Sequence, residues 1–129
     1  MNTPIISNEL KLVLEQIIPE TDVCFFPVTT HHPSGASFNH WALMPLTEVP
    51  CLDLEASEIT MWIVPNEIAL LYKKLRFLPE CLGQRDIVRN TNLTSQILLS
   101  NKLKKVIERY SKGNVRLLRD YEIPPSFVL

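Results

Sequence analysis

The stretch Ile97–Leu118, ILLSNKLKKVIERYSKGNVRLL, decides the fold because it encodes a complete strand–helix–strand unit. The apolar residues Ile97–Leu99 predict a strand, and the hydroxyl of Ser100 is placed to accept a hydrogen bond from the first helical turn. Apolar side chains then recur at helical spacing, on the face opposite to most of the lysines. They are Leu103, Val106, Ile107 and Tyr110. Gly113 suits the left-handed backbone that ends many helices, so we expect a returning strand after it.

A similar unit occurs near the N-terminus. Residues 6–15, ISNELKLVLE, align with residues 99–108, LSNKLKKVIE, and six of the nine positions from the serine onward are identical. Two explanations stay open: the chain contains related strand–helix–strand units at residues 4–28 and 96–119, or a good helix start arose twice. In either case Ser7 and Ser100 are predicted to cap helices, and Pro19 is expected to stop the first one.

The composition is typical of an ordinary folded protein. The chain has 129 residues, of which 46% are hydrophobic and 21% charged, enough for one domain with a substantial core. Ten prolines and only three glycines favour short elements joined by rigid turns. The N-terminus shows no secretory signal pattern, and polar residues interrupt the uncharged segment 23–47, so we expect no membrane span. Three widely spaced cysteines favour reduced thiols, and we expect a single domain, residues 1–129, in the cytoplasm.

The charge distribution is uneven along the chain. Residues 1–60 contain one lysine and eight acidic residues, a net charge of −7, whereas residues 61–129 contain twelve basic and six acidic residues, a net charge of +6. If these halves are separated in space, the surface is bipolar and suits docking to a charged protein partner. If their strands interleave, the charges partly neutralise each other.

The other segments predict an α+β fold. The apolar run Val23–Val28 predicts a strand covered on both faces, and Thr29–Phe38 is rich in turn formers and predicts the main loop. Pro45 ends a predicted strand and indicates a sheet edge or a bulge. The segment Ile68–Phe77 fits a helix or a strand, and we favour a strand that pairs with Ile87–Val88. We therefore expect two serine-capped helices packed on a mixed or antiparallel sheet of about five or six strands.

Two candidate sites for other functions can be drawn. The first is a small enzyme that uses the His31–His40 loop, with His31, His40 and Cys24 as metal ligands, or with Cys24 or Cys51 as a nucleophile. Adjacent histidines in a loop with proline and glycine are more often solvated, so we expect neither a metal nor a cofactor. The chain contains no complete catalytic signature.

The second is a nucleic-acid-binding regulator that uses a basic helix face. That face consists of Lys102, Lys104, Lys105, Arg109 and Lys112. Binding of this kind needs interleaved aromatic residues or a second basic strip, and only Tyr110 lies nearby. Since the net charge is −1, we expect a solvated face and no nucleic-acid partner.

Two stretches resemble a known family. Residues 41–46, WALMPL, lead into residues 51–58, CLDLEASE, and this pattern is similar to the core motif of the immunity protein eleven family. Residues 97–118 resemble the closing segment of that family, in which a serine-capped helix precedes a strand that starts after a glycine. Phe26–Val28 fits the strand before the core motif. The resemblance covers about residues 4–120.

The resemblance implies a function in binding rather than in catalysis. Proteins of this family are encoded beside polymorphic toxins in bacteria, so it implies a cytoplasmic protein that binds and blocks one cognate toxin. We expect the toxin to contact an acidic surface, whose candidate residues are Glu48, Asp53, Glu55 and Glu58. The alternative is that these carboxylates only cap a turn and solubilise the protein.

Overall fold

The structure is a computed structural model, which describes residues 3–31, 33–35, 37–93, 96–111, 118–119 and 127–128. It contains the helices α1 (Asn8–Ile17) and α2 (Asn101–Ser111). The strands of the N-terminal half are β1 (Ile5–Ile6), β2 (Val23–His31), β3 (Ser37–Pro45), β4 (Glu48–Val49) and β5 (Glu58–Val64). The later strands are β6 (Ile68–Lys74), β7 (Ile87–Asn90), β8 (Ile97–Leu99), β9 (Leu118–Arg119) and β10 (Phe127–Val128).

The described strands form three sheets instead of one. Their strand orders are β1-β3-β2, β4-β7-β8-β10-β9 and β5-β6. Strands β4 and β7 pair in parallel, and the other described pairings are antiparallel. The predicted α+β class is therefore confirmed, and the largest sheet is mixed and has five strands.

Strands β7 and β8 separate two hydrophobic cores. Ile97 and Leu99 belong to the first core, together with the apolar faces of α1 and α2, whereas Leu98 and Val88 belong to the second. Alternate residues of a strand point to opposite faces, so the two short strands serve both cores. All of their residues are buried, because the sheet is covered on both sides at this point.

The two helices begin in the same way, as the sequence predicts. The Ser7 hydroxyl accepts a hydrogen bond from the amide of Leu10 at 3.2 Å, and the Ser100 hydroxyl accepts one from the amide of Leu103 at 3.1 Å. Each helix then carries an ion pair at the matching positions, Lys11–Glu15 and Lys104–Glu108, four residues apart. These shared features are compatible with two related units, which stays a prediction. The predicted helix exit at Gly113 lies outside the described residues.

The hairpin of β2 and β3 corrects three predictions. Val23–Val28 is not covered on both faces, because Val23 is buried whereas Phe26 is 48% exposed. Half of the predicted loop Thr29–Phe38 belongs to strands, since pairing continues to His31 opposite Ser37, and the turn lies between them. Pro45 is the last residue of the central strand β3, opposite Val23 in a regular register, and the amide of the next residue, Leu46, still donates to the carbonyl oxygen of Asp22 at 2.9 Å.

The hairpin of β5 and β6 settles the ambiguous segment. Ile68–Lys74 is a strand, as predicted, but it pairs with β5 instead of Ile87–Val88. The connection between the two strands is short, and Asn66 adopts a φ of 60° there. Asparagine tolerates this left-handed conformation better than most residues, which permits the tight reversal.

The oppositely charged halves of the sequence interleave. Strand β4 of the acidic half pairs with β7 of the basic half, and α1 packs against α2 within the first core. Of the two arrangements that the sequence left open, the structure therefore shows the one in which the charges partly neutralise each other.

Candidate protein-interaction surface

The acidic turn between β4 and β5 is held by its own side chains. A carboxylate oxygen of Asp53 accepts a hydrogen bond from the amide of Ala56 at 3.2 Å. The amide of Ser57 donates to the carbonyl oxygen of Asp53 at 2.9 Å. Asp53 thus caps the turn, which is the role that the sequence left open as the alternative to toxin binding.

This turn lies against the basic end of β6. The amide of Asp53 donates to the carbonyl oxygen of Arg76 at 2.8 Å, and the amide of Arg76 donates to the Ser57 hydroxyl at 2.9 Å. Glu58 is paired with Lys74 across the strands. Basic residues therefore lie next to the acidic ones, so this corner of the molecule carries both signs of charge.

The four acidic candidates do not form one cluster. Asp53, Glu55 and Glu58 share the turn, and Glu55 and Glu58 are exposed. Glu48 belongs to β4, where its register partner is the buried Arg89 of β7. The structure thus brings three of the predicted contact residues together and places the fourth on another sheet.

Large apolar side chains are exposed on the hairpin that follows the acidic turn. Five of them are between 49% and 53% exposed, and we call them the hairpin surface: Met61, Ile63, Leu70, Leu71 and Tyr72. Met61 and Leu71 are cross-strand partners, whereas Tyr72 is opposite Ile59, which packs against the second core, so Tyr72 lies at the margin of this surface. An exposed apolar patch of this kind marks a site of interaction with another molecule far more often than scattered single side chains do.

The opposite side of the hairpin is anchored to the second core. Ala69 is buried there, and Ile59 and Trp62 pack against the same cluster. The amide of Ala69 also donates to the carbonyl oxygen of Asn92 at 2.8 Å. Because the register between β5 and β6 shifts at several points, apolar residues next to each other in sequence are divided irregularly between the core and the surface.

Charged residues border the hairpin surface at both ends. Lys73 and Lys74 are exposed at the end of β6, beside Glu58, and Glu67 is exposed at the turn between the strands. A cleft of about 430 Å³ opens beside that turn. It is lined by Pro50, Leu52, Leu54, Asn66, Glu67, Ile68, Leu78, Thr91 and Asn92.

The residues proposed for a metal site lie on different rungs of the β2–β3 hairpin. His40 is opposite Val28, whereas Cys24 is opposite Met44, so four residues, or about 13 Å, separate Cys24 from the rung of His40. His31 lies at the far end of β2. In the part of the chain that the structure describes, no three His, Cys, Asp or Glu side chains are grouped to hold a metal ion.

The environment of Cys51 disfavours the thiolate that a nucleophilic cysteine requires. Its side chain is 0% exposed, and a hydrogen bond with Cys81, together with burial, raises the pKa of Cys51 above its ordinary value. The thiolate is the reactive form of cysteine, and a raised pKa removes it at neutral pH. Cys24, Cys51 and Cys81 are all free thiols.

The basic face of α2 is partly neutralised. Lys104 forms the ion pair with Glu108 at 3.6 Å, and the guanidinium of Arg109 lies 5.6 Å from the ring centre of Tyr110 on the same helix. Lys102 and Lys105 are exposed, and Lys112 lies outside the described residues. Among the described basic residues of this face, Lys104 is therefore opposed by a carboxylate, whereas the ring contact of Arg109 leaves its charge in place.

Sequence reasoning missed the hairpin surface, although a signal was present. Residues 59–64, ITMWIV, and residues 68–72, IALLY, are nearly continuous apolar runs. A hairpin whose two strands both lie at sheet edges buries only one face against a core, so such runs leave apolar side chains exposed. The sequence-based pairing of Ile68–Phe77 with Ile87–Val88 does not include this hairpin, and so it does not reveal the surface.

Comparison with known proteins gives one result. The sequence model of the Immunity protein family (Imm11) matches residues 2–120, nearly the whole chain. No curated protein and no solved structure matches significantly. Neither helix of the described residues is long and apolar enough to cross a membrane. The match includes the serine-capped helices, the acidic turn and the hairpin surface, and the chain therefore belongs to the Immunity protein family (Imm11).

Proposed function

We propose that this protein binds one cognate toxin protein in the cytoplasm and neutralises it by binding, without a catalytic activity of its own. The observation that carries the proposal is the family match over residues 2–120. The exposed apolar hairpin surface supports it, because a protein that acts by binding needs a surface of this kind.

The acidic turn has a second part in this proposal. Asp53, Glu55 and Glu58 lie at the base of the hairpin, where they would form part of the polar rim of an interface, whereas Glu48 lies on β4 of another sheet. Rim charges mainly change the rate at which two proteins associate. We therefore propose that these acidic residues attract a basic toxin surface and so speed association. Apolar contacts would then determine how slowly the complex dissociates.

Co-expression in a bacterial host tests the proposal. The toxin domain encoded beside the gene of this chain is expressed from an inducible promoter, with this chain, with the Leu103→Asp variant or with an empty vector. We expect colony counts to fall by several orders of magnitude with the empty vector and to recover only with a folded chain. Equal killing with and without the wild-type chain would contradict the proposal.

The same experiment separates this proposal from the enzyme alternative. A variant in which His31, His32 and His40 are all replaced by alanine should protect the host as well as the wild type does. Loss of protection by a variant that folds normally would favour a function of the His31–His40 region instead.

A further inference from the structure

We propose that the hairpin surface is the centre of the interface with the toxin, and that its occupant is an apolar patch on a folded toxin domain. This inference rests on the proposed function and adds the contact surface and the chemistry of the partner. It concerns Met61, Ile63, Leu70, Leu71 and Tyr72, which the acidic turn borders at one end.

The size of the hairpin surface fits a specific protein complex. Five large apolar side chains that are each about half exposed sum to on the order of 500 Å², within the range of the largest apolar patches on monomers, which are often functional. A standard complex buries about 800 Å² on each partner, with apolar residues at the centre and polar residues at the rim. The hairpin surface supplies such an apolar centre, and Glu58, Glu67, Lys73 and Lys74 around it supply a polar rim.

The same comparison argues against a permanent dimer of this chain. Obligate dimers bury about 1,000 Å² or more on each subunit and are apolar over most of that area. Charged residues of both signs lie at the ends of the hairpin surface, so it does not continue into the largely apolar area that a permanent dimer needs. A separate protein of standard interface size is therefore the better occupant.

The hairpin is also held in place before any partner arrives. Its turn end is tied by the bond from Ala69 to Asn92, and its base is tied by the bond between Arg76 and Ser57. Trp62 and Ile59 pack against the second core behind it. A surface that is already ordered loses little conformational entropy on binding, which favours a tight complex.

A second apolar area is smaller. Ile5 and Phe26 are 45% and 48% exposed and lie on the same rung of the three-stranded sheet, on either side of Ala42. Ala42 itself is buried, so two large side chains are exposed there instead of five. This sheet face is the natural comparison for an experiment, because its side chains match those of the hairpin surface in type and exposure.

Two double variants test the inference. Met61→Thr with Leu71→Thr removes a cross-strand pair from the hairpin surface, and Ile5→Thr with Phe26→Thr removes the matched pair from the other sheet. Threonine preserves strand propensity, and circular dichroism and thermal melting verify that each variant folds. The affinity for the toxin domain encoded beside the gene is measured by calorimetry, and the dissociation rate by surface plasmon resonance.

We expect the hairpin variant to bind at least 100-fold more weakly, mainly through faster dissociation, and the control variant to stay within threefold of the wild type. Wild-type affinity in the folded hairpin variant overturns the inference and leaves the proposed function intact. Failure of the wild-type chain itself to bind rejects the proposed function and the inference together.

Two further measurements use only the wild-type chain, so they do not depend on whether a hairpin variant folds. Hydrogen exchange of the wild-type complex should slow at amides within residues 58–74 and stay unchanged at β2, whereas slowing at β2 alone would overturn the inference. Sedimentation of the free chain should show a monomer. A stable dimer in which the amides of residues 58–74 are protected would assign the hairpin surface to a second copy of this chain, and so would contradict a toxin as its occupant.

Discussion

At the scale of single residues, buried polar side chains join parts of the fold that the sequence keeps apart. Asn90 is 0% exposed, and its side-chain oxygen accepts hydrogen bonds from the amides of Cys51 and Asn92, both at 3.0 Å. Its side-chain nitrogen donates to Gln96 at 2.6 Å. Asn92 in turn accepts a bond from the amide of Leu52 at 2.9 Å. This network connects the turn after β7 to the segment that precedes the acidic turn.

Replacement of Asn90 by alanine should therefore be costly. Asn90→Ala would leave the amides of Cys51 and Asn92 buried without their acceptor, so we expect the free energy of unfolding to fall by about 2–4 kcal/mol. Urea denaturation measures this change. The control is Asn39→Ala, at an exposed position of β3, which should change stability by less than about 0.5 kcal/mol. Equal stabilities for the two variants would show that the network contributes little.

This network was not predictable from the sequence. Residues 85–89 contain two arginines and an aspartate, and the sequence predicts a strand only at Ile87–Val88, whereas the buried strand β7 continues through Arg89 to Asn90. The partners of Asn90 include Cys51, 39 positions away. Local patterns carry no information on such distant hydrogen bonds, so Arg89 and Asn90 looked like surface residues.

At the scale of elements, the serine-capped helices are the part of the fold that sequence patterns predict best. A cap hydroxyl and an apolar stripe are both local signals, and both were right: Ser100 caps α2, and Leu103 and Ile107 are buried. Val106 and Tyr110 are only partly buried, at the margin of the stripe. The Ser100 hydroxyl also donates to Asp86 at 2.6 Å, a contact between elements that the pattern did not predict.

The burial of α2 can be tested with one acidic substitution on each of its faces. Leu103→Asp places an unpaired charge at a position that is 0% exposed, so we expect a loss of several kcal/mol, on the order of 4 kcal/mol, or complete unfolding. Lys105→Asp introduces the same residue at an exposed position of the same helix and should cost less than about 1 kcal/mol. Thermal melting compares the two. A Leu103→Asp variant as stable as the wild type would contradict the assignment of this helix to the core.

The strands were harder to predict because their partners are set by the whole chain. Ile68–Lys74 was assigned correctly as a strand, but with Ile87–Val88 as its partner, whereas it pairs with β5. Periodicity indicates that a segment is extended without indicating which segment it pairs with. The exposed outer side of β5 and β6 therefore emerges only from the sheet topology.

At the scale of the whole molecule, the two oppositely charged halves of the sequence interleave, so the surface is not bipolar. The halves with net charges of −7 and +6 do not form separate poles, since β4 pairs with β7 and the acidic turn contacts Arg76. What remains is a local arrangement: acidic residues of the turn at one end of an apolar hairpin, with lysines beside them. This arrangement predicts moderate electrostatic steering and a complex held mainly by apolar contacts.

Charge reversal at the acidic turn measures the steering. The Glu55→Lys and Glu58→Lys double variant should associate with the toxin domain roughly tenfold more slowly at low salt, with a smaller difference at high salt. Glu58→Lys also places a like charge opposite Lys74, which should cost up to about 1 kcal/mol of stability. The control, Glu9→Lys with Glu20→Lys, changes the net charge equally at other exposed positions. Stopped-flow fluorescence measures the rates, and equal rates for the two variants at low salt would show that the turn does not steer the toxin.

The central claim is that the protein neutralises its toxin by binding alone, and a stoichiometric titration tests it most directly. We expect a nanomolar Kd for this complex. The toxin domain encoded beside the gene is held at a fixed concentration well above that Kd and is mixed with increasing amounts of the purified chain. The residual toxin activity is then measured. Inhibition by tight binding predicts a linear fall to zero at one chain per toxin molecule, independent of incubation time. Toxin activity that persists when the chain is in molar excess would contradict the claim. So would a progressive loss of toxin activity when far less than one chain per toxin molecule is present, because that would indicate catalysis.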